Sequence, residues 1–430
     1  MKKVITRNRR LAAFVIVLLV AFQFTACTQL PLRTRDASAS GIPLQGSYEE
    51  NREYLDVYFG INAETAWNTG TFSSALGSVS ASRAAVEGDL TRLSAMKAAV
   101  TASGYDELAK SYPPEKTAAR LANYSVPSTG DADLDAYLAG GLDAGLFSGE
   151  QAQAAVTGAS LTKEYAAELL MTVAQASGQG RNYMGYSDDP MTDTRLTYMW
   201  NSFQIFDDPV LTEIGRASVE RQITTGYGLK KKNYAARFLP SLTLQYGHSN
   251  IKHAHQLLAL LNSEGIIAKV QLEPKVSVYQ YLLEWGPVPA PSPGYEVRQF
   301  GNDLYLAFAM EYDLLLEFKS HDDALRFDGI IQTYAKKWEG NSDAIGLIYG
   351  SWWQPLYTST RDDMPTESYY KIHDCIIRNG DYSIHPFCLD AKFTDTVRQL
   401  NAINPQFQVE PVTRYCNKAF YNYMTGDDFQ

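Results

Sequence analysis

The stretch from Leu304 to Phe318 constrains the fold more than any other part of the chain. Leu304, Leu306, Phe308, Met310, Tyr312, Leu314, Leu316 and Phe318 occupy every second position without a miss, and Glu311, Asp313 and Glu317 fall between them. Side chains on a strand point alternately to its two faces, so this is a long strand with one continuous apolar face. Its neighbours follow suit. Leu242, Leu244 and Tyr246 alternate with Ser241, Thr243 and Gln245, and Ala268, Val270 and Leu272 alternate with Lys269, Gln271 and Glu273. Between those two runs, Ser249 is placed to cap a helix whose Ile251, Ala254, Leu257, Leu258 and Leu261 form one stripe ended by Gly265. A second helix opens at Ser320, Asp322 and Asp323, and Ile345 to Tyr349 supplies a last apolar run.

The resulting order is strand, helix, strand, strand, helix, strand. It predicts a ferredoxin-like (split βαβ) antiparallel α/β sandwich, with both helices on the apolar face of the sheet and the charged positions on a solvated outer face. The middle connection contains Pro287, Pro289, Pro291 and Pro293. Such density forces extended backbone without ladder pairing, hence an exposed arm. Asn379-Gly380 marks a hairpin between Tyr370–Arg378 and Asp381–Leu389, expected to extend the sheet. Earlier in the chain, Ser82–Thr101, Leu161–Ala176 and Leu196–Phe206 carry helical periodicity in an Ala-rich context. The fold expected is therefore α+β: a mainly helical domain over residues 48–227, and a ferredoxin-like domain with a C-terminal hairpin extension over 228–430.

The amino terminus supplies an address. Lys2, Lys3, Arg7, Arg9 and Arg10 precede an apolar segment from Leu11 to Phe22, and Phe24-Thr25-Ala26-Cys27 follows. That is the layout of an export signal, shorter than the roughly 20 apolar residues of a spanning helix. It resembles a bacterial lipoprotein signal. The resemblance implies removal of residues 1–26, a diacylglycerol on Cys27 and attachment to a membrane, and Thr28 in place of Asp implies the outer membrane in a Gram-negative host. Residues 27–47, small and polar, form a flexible tether. A formal net charge of -10 and a pI near 5.2 argue against nucleic acid as a partner.

Chemistry is hard to read. The chain contains no Gly-x-Ser-x-Gly, phosphate loop, His-Glu-x-x-His, Cys-x-x-Cys or dinucleotide fingerprint, and no cofactor or metal is expected. His253 and His255, two apart on a helix, diverge too far to share a metal, and His253 is expected to face water. Glu311, Asp313 and Glu317 lie about 7 Å apart on one strand face, an acid–base arrangement or a solvated surface. Asp131, Asp133 and Asp135 lack the glycine and the distal Glu of a calcium loop and read as a helix-opening cluster. Lys230-Lys231-Lys232, flanked by Tyr227 and Tyr234, is the one basic patch; with Trp352 and Trp353 it is the candidate binding surface.

The mature cysteines are Cys375, Cys388 and Cys416. With Asn379-Gly380 as the two turn residues, Cys375 faces Ile384 and Cys388 faces Lys371, which separates the two cysteines by about 13 Å. A bridge from Cys416 to Cys388 is then expected, Cys375 being the second choice of partner. A zinc site from His373, Cys375 and Cys388 is the other alternative.

Leu242-Thr243-Leu244-Gln245-Tyr246-Gly247, the helix bearing Ala254, Leu257 and Leu261, then Gly265 and Ala268-Lys269-Val270, are similar to the first half of a SPOR domain. That resemblance implies a ferredoxin-like module and glycan strands stripped of peptide as ligand. The functional expectation is a lipid-anchored cell-envelope protein, non-catalytic, that binds or organises cell-wall glycan or envelope proteins. The alternatives are a polysaccharide- or peptide-cleaving hydrolase and a small-solute receptor.

Overall fold

The computed structural model describes residues 46–80, 82, 84–334, 356–359 and 369–425. Cys27, Trp352 and Trp353, with the signal and most of the tether, lie outside the described residues. The chain divides into two compact units, one comprising Trp67–Gly77 and Ser82–Val173, the other Gly46–Ala66, a short piece beginning at Ser78, and the chain from Ala174 onward.

The first unit is built from short helices: α2 (Thr69–Val79), α3 (Arg92–Ala102), α4 (Asp106–Lys110), α5 (Pro114–Asn123), α6 (Ala132–Asp143), α7 (Gly149–Val156) and α8 (Lys163–Ala176). Their starts are chemically marked. Thr91 with Ser94 and Ser148 with Gln151 form capping boxes, Pro114 sits in a first turn, and Asp131 accepts from the backbone N–H groups of Asp133 and Leu134. The acidic cluster at Asp131 is thus a helix opening. Helix α6 passes close to α4 because Gly140 lacks a side chain, since a Cβ there would meet the Ala109 Cα at 3.1 Å.

In the second unit, α1 (Tyr48–Phe59), α9 (Pro190–Ser202), α10 (Pro209–Glu220), α11 (Ile251–Ser263), α12 (His321–Tyr334), α13 (Phe393–Ile403) and α14 (Lys418–Thr425) accompany eleven strands. These are β1 (Gly185–Tyr186), β2 (Gly226–Lys231), β3 (Thr243–His248), β4 (Ala268–Gln280), β5 (Tyr295–Phe300), β6 (Leu304–Phe318), β7 (Leu356–Ser359), β8 (Tyr369–Asn379), β9 (Tyr382–His385), β10 (Phe387–Leu389) and β11 (Glu410–Asn417). All pairings are antiparallel, and the path β4-β2-β9-β8-β11-β7-β3-β6 returns to β4 through a thirteen-residue ladder from Ala268↔Phe318 to Gln280↔Leu306. The result is a closed eight-stranded barrel, with β1, β5 and β10 as flanking additions.

The ferredoxin-like sandwich is therefore corrected to a barrel. Of the expected strands β3, β6 and β4 do lie side by side, and the last expected run, 345–349, lies outside the described residues, but their sheet has no free edge: β2, β9, β8, β11 and β7 continue it from β4 round to β3. The outer wall carries the even-numbered residues of β4 and β6. Val270, Leu272, Leu314 and Leu316 pack with Leu257, Leu258 and Leu261 of α11, while Val276, Val278, Leu306 and Phe308 share a core with Leu211 and Ile214 of α10 and Leu400 of α13. The alternation of β6 found in the sequence is real, but its polar face is enclosed. Asp313 is 1% exposed and Glu317 2%. An open two-layer sheet would have left them wet.

Candidate functional site

An eight-stranded barrel has an interior only wide enough for side chains to fill, and here the filling is charged. Arg181 Nε lies 2.8 Å from Glu317 Oε1, and Lys269 Nζ lies 2.6 Å from the same oxygen. Lys230 Nζ reaches Asp313 at 2.6 Å and Glu273 at 3.0 Å, Lys275 Nζ reaches Asp313 at 2.7 Å, and Ser277 donates to Glu311 at 2.6 Å. Arg414 Nε lies 3.2 Å from Asp374. Five cations, Arg181, Lys230, Lys269, Lys275 and Arg414, thus accompany five carboxylates, Glu273, Glu311, Asp313, Glu317 and Asp374. Burial pushes the Asp313 carboxyl upward, but Lys230 and Lys275 outweigh it and hold the group well below the usual carboxylate range.

The chain itself crosses this interior. The segment after β2 lays the Ala236 N–H on Glu273 at 2.9 Å and the Leu239 N–H on Glu317 at 2.7 Å, and Gln271 donates to the Tyr234 carbonyl at 3.2 Å. Tyr54 of α1 stacks on the Arg181 guanidinium, and Tyr58 donates to the Phe238 carbonyl at 2.6 Å. Elsewhere on the inner face, α14 brings Phe420 and Tyr421 against Ile372, Cys416, Tyr370 and Phe387. These four share the side of the wall that carries Asp374 and Arg414.

One hydrogen-bonded chain within the lumen has the form of an activated nucleophile. Ser383 Oγ lies 2.9 Å from His385 Nε2, and His385 Nδ1 lies 3.0 Å from Asp374 Oδ2. Ser383 and His385 are two apart on β9, so strand alternation sends both inward; Asp374 comes from β8 across the hairpin. Geometrically this is Ser–His–Asp order. Its surroundings differ from those of a working triad. Ser383 is 4% exposed, Lys230 stands opposite it in the ladder, and Asp374 divides its charge between His385 and Arg414. The parity of Ser383 and His385 was available in the sequence, but only the fold brings Asp374 within reach.

The sequence candidates scatter. Tyr227 is buried in the outer core, and Lys230 is consumed by the lumen. Lys231, on the opposite face, lies 4.5 Å above the Phe206 ring, and Tyr234 packs against the outer core. Only Lys232 is left exposed, so no basic patch forms. His253 is buried and stacked on His248 at 4.1 Å, while His255 bonds to Asp193, the reverse of the expectation for the two. His373 bonds Asp390 at 2.6 Å and stacks on Phe393. The cysteines regroup as well. The turn residues are Gly380 and Asp381, with Asn379 paired to Tyr382, so Cys388 faces His373 instead of Lys371. Cys388 Sγ comes to 3.7 Å from Cys375 Sγ on the outer face of the wall. Cys416 lies in the inner cluster, away from the Cys388 that was expected to pair with it.

A feature not singled out in the sequence is the tip of the proline arm. Leu283 is 56% and Trp285 59% exposed, with Leu282 and Val288 beside them. The tip is ordered: Trp285 and Gly286 close turns onto Leu282 and Leu283, the Tyr281 hydroxyl donates to the Gly286 and Pro287 carbonyls, and Tyr281 meets the Trp285 ring edge-on at 5.5 Å. Among the described residues, no group of three or more His, Cys, Asp or Glu is placed to hold a metal, and no helix is long and apolar enough to cross a membrane. Compared with protein-family models, curated proteins and solved structures, the chain matches none.

Proposed function

We propose that the chain is a lipid-anchored cell-envelope protein, held through Cys27, whose barrel is a non-catalytic scaffold presenting the Leu282–Val288 tip to cell-wall glycan or to an envelope protein. The observation that carries this reading is Trp285, held outward by the hydrogen bonds of its own loop. An exposed tryptophan with an ordered aromatic neighbour is suited to sugars and to protein contacts. The lumen supports the scaffold role: its charges compensate one another and its volume is occupied by segments of the same chain. The similarity of residues 242–270 to a SPOR module makes glycan stripped of peptide the first polymer to test.

Two measurements test the reading. Cys27→Ser releases the protein from membranes and abolishes incorporation of labelled palmitate; continued fractionation with membranes removes the anchor. Trp285→Ala lowers co-sedimentation with purified cell-wall sacculi or capture of envelope proteins at least tenfold; unchanged binding to both removes the tip as the contact. A hydrolase is the second reading, favoured only by the Ser383–His385–Asp374 chain. Labelling of Ser383 by a fluorophosphonate, lost in His385→Ala, would establish it, whereas the scaffold reading expects Ser383 to stay unlabelled.

A further inference from the structure

Strands β8 and β10 place two thiols in contact on the outer wall of the barrel. Cys375 donates its backbone N–H to the Pro386 carbonyl at 2.9 Å, which fixes the ladder, and Cys388 stands opposite His373, so the two cysteines are diagonal neighbours on one face. Both are buried, in a core shared with Ile377, Ile384 and Leu400. Their sulfurs are 3.7 Å apart, in van der Waals contact and in hydrogen-bond geometry. The thiol–thiol contact raises Cys375 far above its ordinary range, and the same contact lowers Cys388. Cys416 is excluded by place: it faces the lumen, packed with Ile372 and Phe420. Zinc finds no site there: among the described residues, no group of three or more His, Cys, Asp or Glu, the set of His373, Cys375 and Cys388 included, is placed to hold a metal.

We infer that Cys375 and Cys388 form the disulfide of the mature protein and that Cys416 stays a free thiol. This rests on export, the oxidising setting that the amino terminus is read to provide, and not on the binding role assigned to the tip. The bond requires the sulfurs to close from 3.7 Å to about 2.05 Å. The oxidant is a low-molecular-weight or protein disulfide such as glutathione disulfide. One thiolate attacks it and releases one reduced thiol; the second thiolate then attacks the mixed disulfide and releases the other. The protein loses two electrons and two protons, and the oxidant gains both. Because both sulfurs are buried, the exchange takes place before β10 closes on β8. The bridge spans the hairpin that carries Ser383 and His385, and closing a loop of this size lowers the unfolding equilibrium constant roughly 100-fold in the chain-entropy account.

Trypsin separates the three cysteines: cleavage after Lys371, Arg378, Lys392, Arg414 and Lys418 yields Ile372–Arg378, Asn379–Lys392 and Tyr415–Lys418. The full chain is denatured and refolded with reduced and oxidised glutathione, alkylated in denaturant without further reduction, digested and mass-analysed. The expected result is Ile372–Arg378 linked to Asn379–Lys392, with Tyr415–Lys418 alkylated. A linkage that includes Tyr415–Lys418, or three alkylated cysteines, overturns the inference. Cys416→Ser is expected to keep the linkage, and Cys388→Ser to leave Cys375 alkylated. These readouts concern only thiols, so loss of glycan or partner binding by Trp285→Ala stands or falls separately.

Discussion

The two faces of the barrel wall make opposite use of the same alternation. On the outer face of β4 and β6, aliphatic and aromatic side chains are covered by α10, α11 and α13, and burial of apolar area stabilises them at about 25 cal/mol per Å². On the inner face, each buried charge costs several kcal/mol of desolvation, offset only where a counter-charge and a backbone donor complete its coordination. Glu317 illustrates this with two cations and the Leu239 N–H. The outer face tolerates approximate shape; the inner face tolerates no missing partner.

The largest effect is expected where the two regimes are exchanged. Leu306→Asp places an unpaired charge among Val278, Phe308 and their neighbours and should cost at least about 4 kcal/mol in denaturant unfolding. An exposed-like response there would mean the outer face is misassigned. Asp313→Leu, which keeps bulk but strips Lys230 and Lys275 of their shared anion, should cost about 3 to 4 kcal/mol. A near-neutral result would show that the lumen works as an ordinary apolar core.

Acid separates the faces more finely. His248 and His253 sit on the outer side, and burial lowers them to about 3 and about 4. The unfolded chain therefore takes up protons near pH 6.5 while the native rings stay neutral, so stability declines as pH falls from about 6.5 toward 4. Asp313, which burial pushes up but Lys230 and Lys275 depress on balance, adds stability present in full above the unfolded carboxylate value near 3.9 and lost progressively as pH falls from there through its lower folded value. Unfolding titrations should show His253→Gln flattening the upper window and Asp313→Asn flattening the lower. If either variant flattens both, the faces are electrostatically coupled. The smallest effect belongs to Lys319→Asp, an exposed position just past β6, which should change stability by less than about 0.5 kcal/mol.

Local signals carried far in this chain and then stopped at a definite point. The limits of β6, the stripe of α11 and the presence of the tail hairpin follow from periodicity and turn chemistry. What alternation does not contain is which face is wet. Glu311, Asp313 and Glu317 look the same whether they meet water or Lys275, Lys230 and Lys269 from strands distant in sequence. The turn shows the same limit. Asn379-Gly380 suits a two-residue loop, yet the Asn379 side chain is held by the Asp208 carboxylate at 3.2 Å, and Gly380-Asp381 makes the turn, with Gly380 at φ 57°. That one-residue step moved Cys388 beside Cys375 and with it the whole reading of the cysteines. The Ser383–His385–Asp374 chain was half legible for the same reason.

Two late seams complete the ring, β2 to β9, with Gly228 opposite His385, and β11 to β7. A ribosome finishes β2 long before β9 exists, and β11, which bridges β8 to β7, comes later still. Loop entropy must be lost before those distant pairings return anything, which is the kinetic signature of slow, high-contact-order folding. Until then the carboxylates of β4 and β6 remain hydrated, and the segment carrying Ala236 and Leu239 must already lie across them when the last strands arrive. The protein is thus a late-closing one, dependent for its native state on β11, which is made after every other strand of the ring.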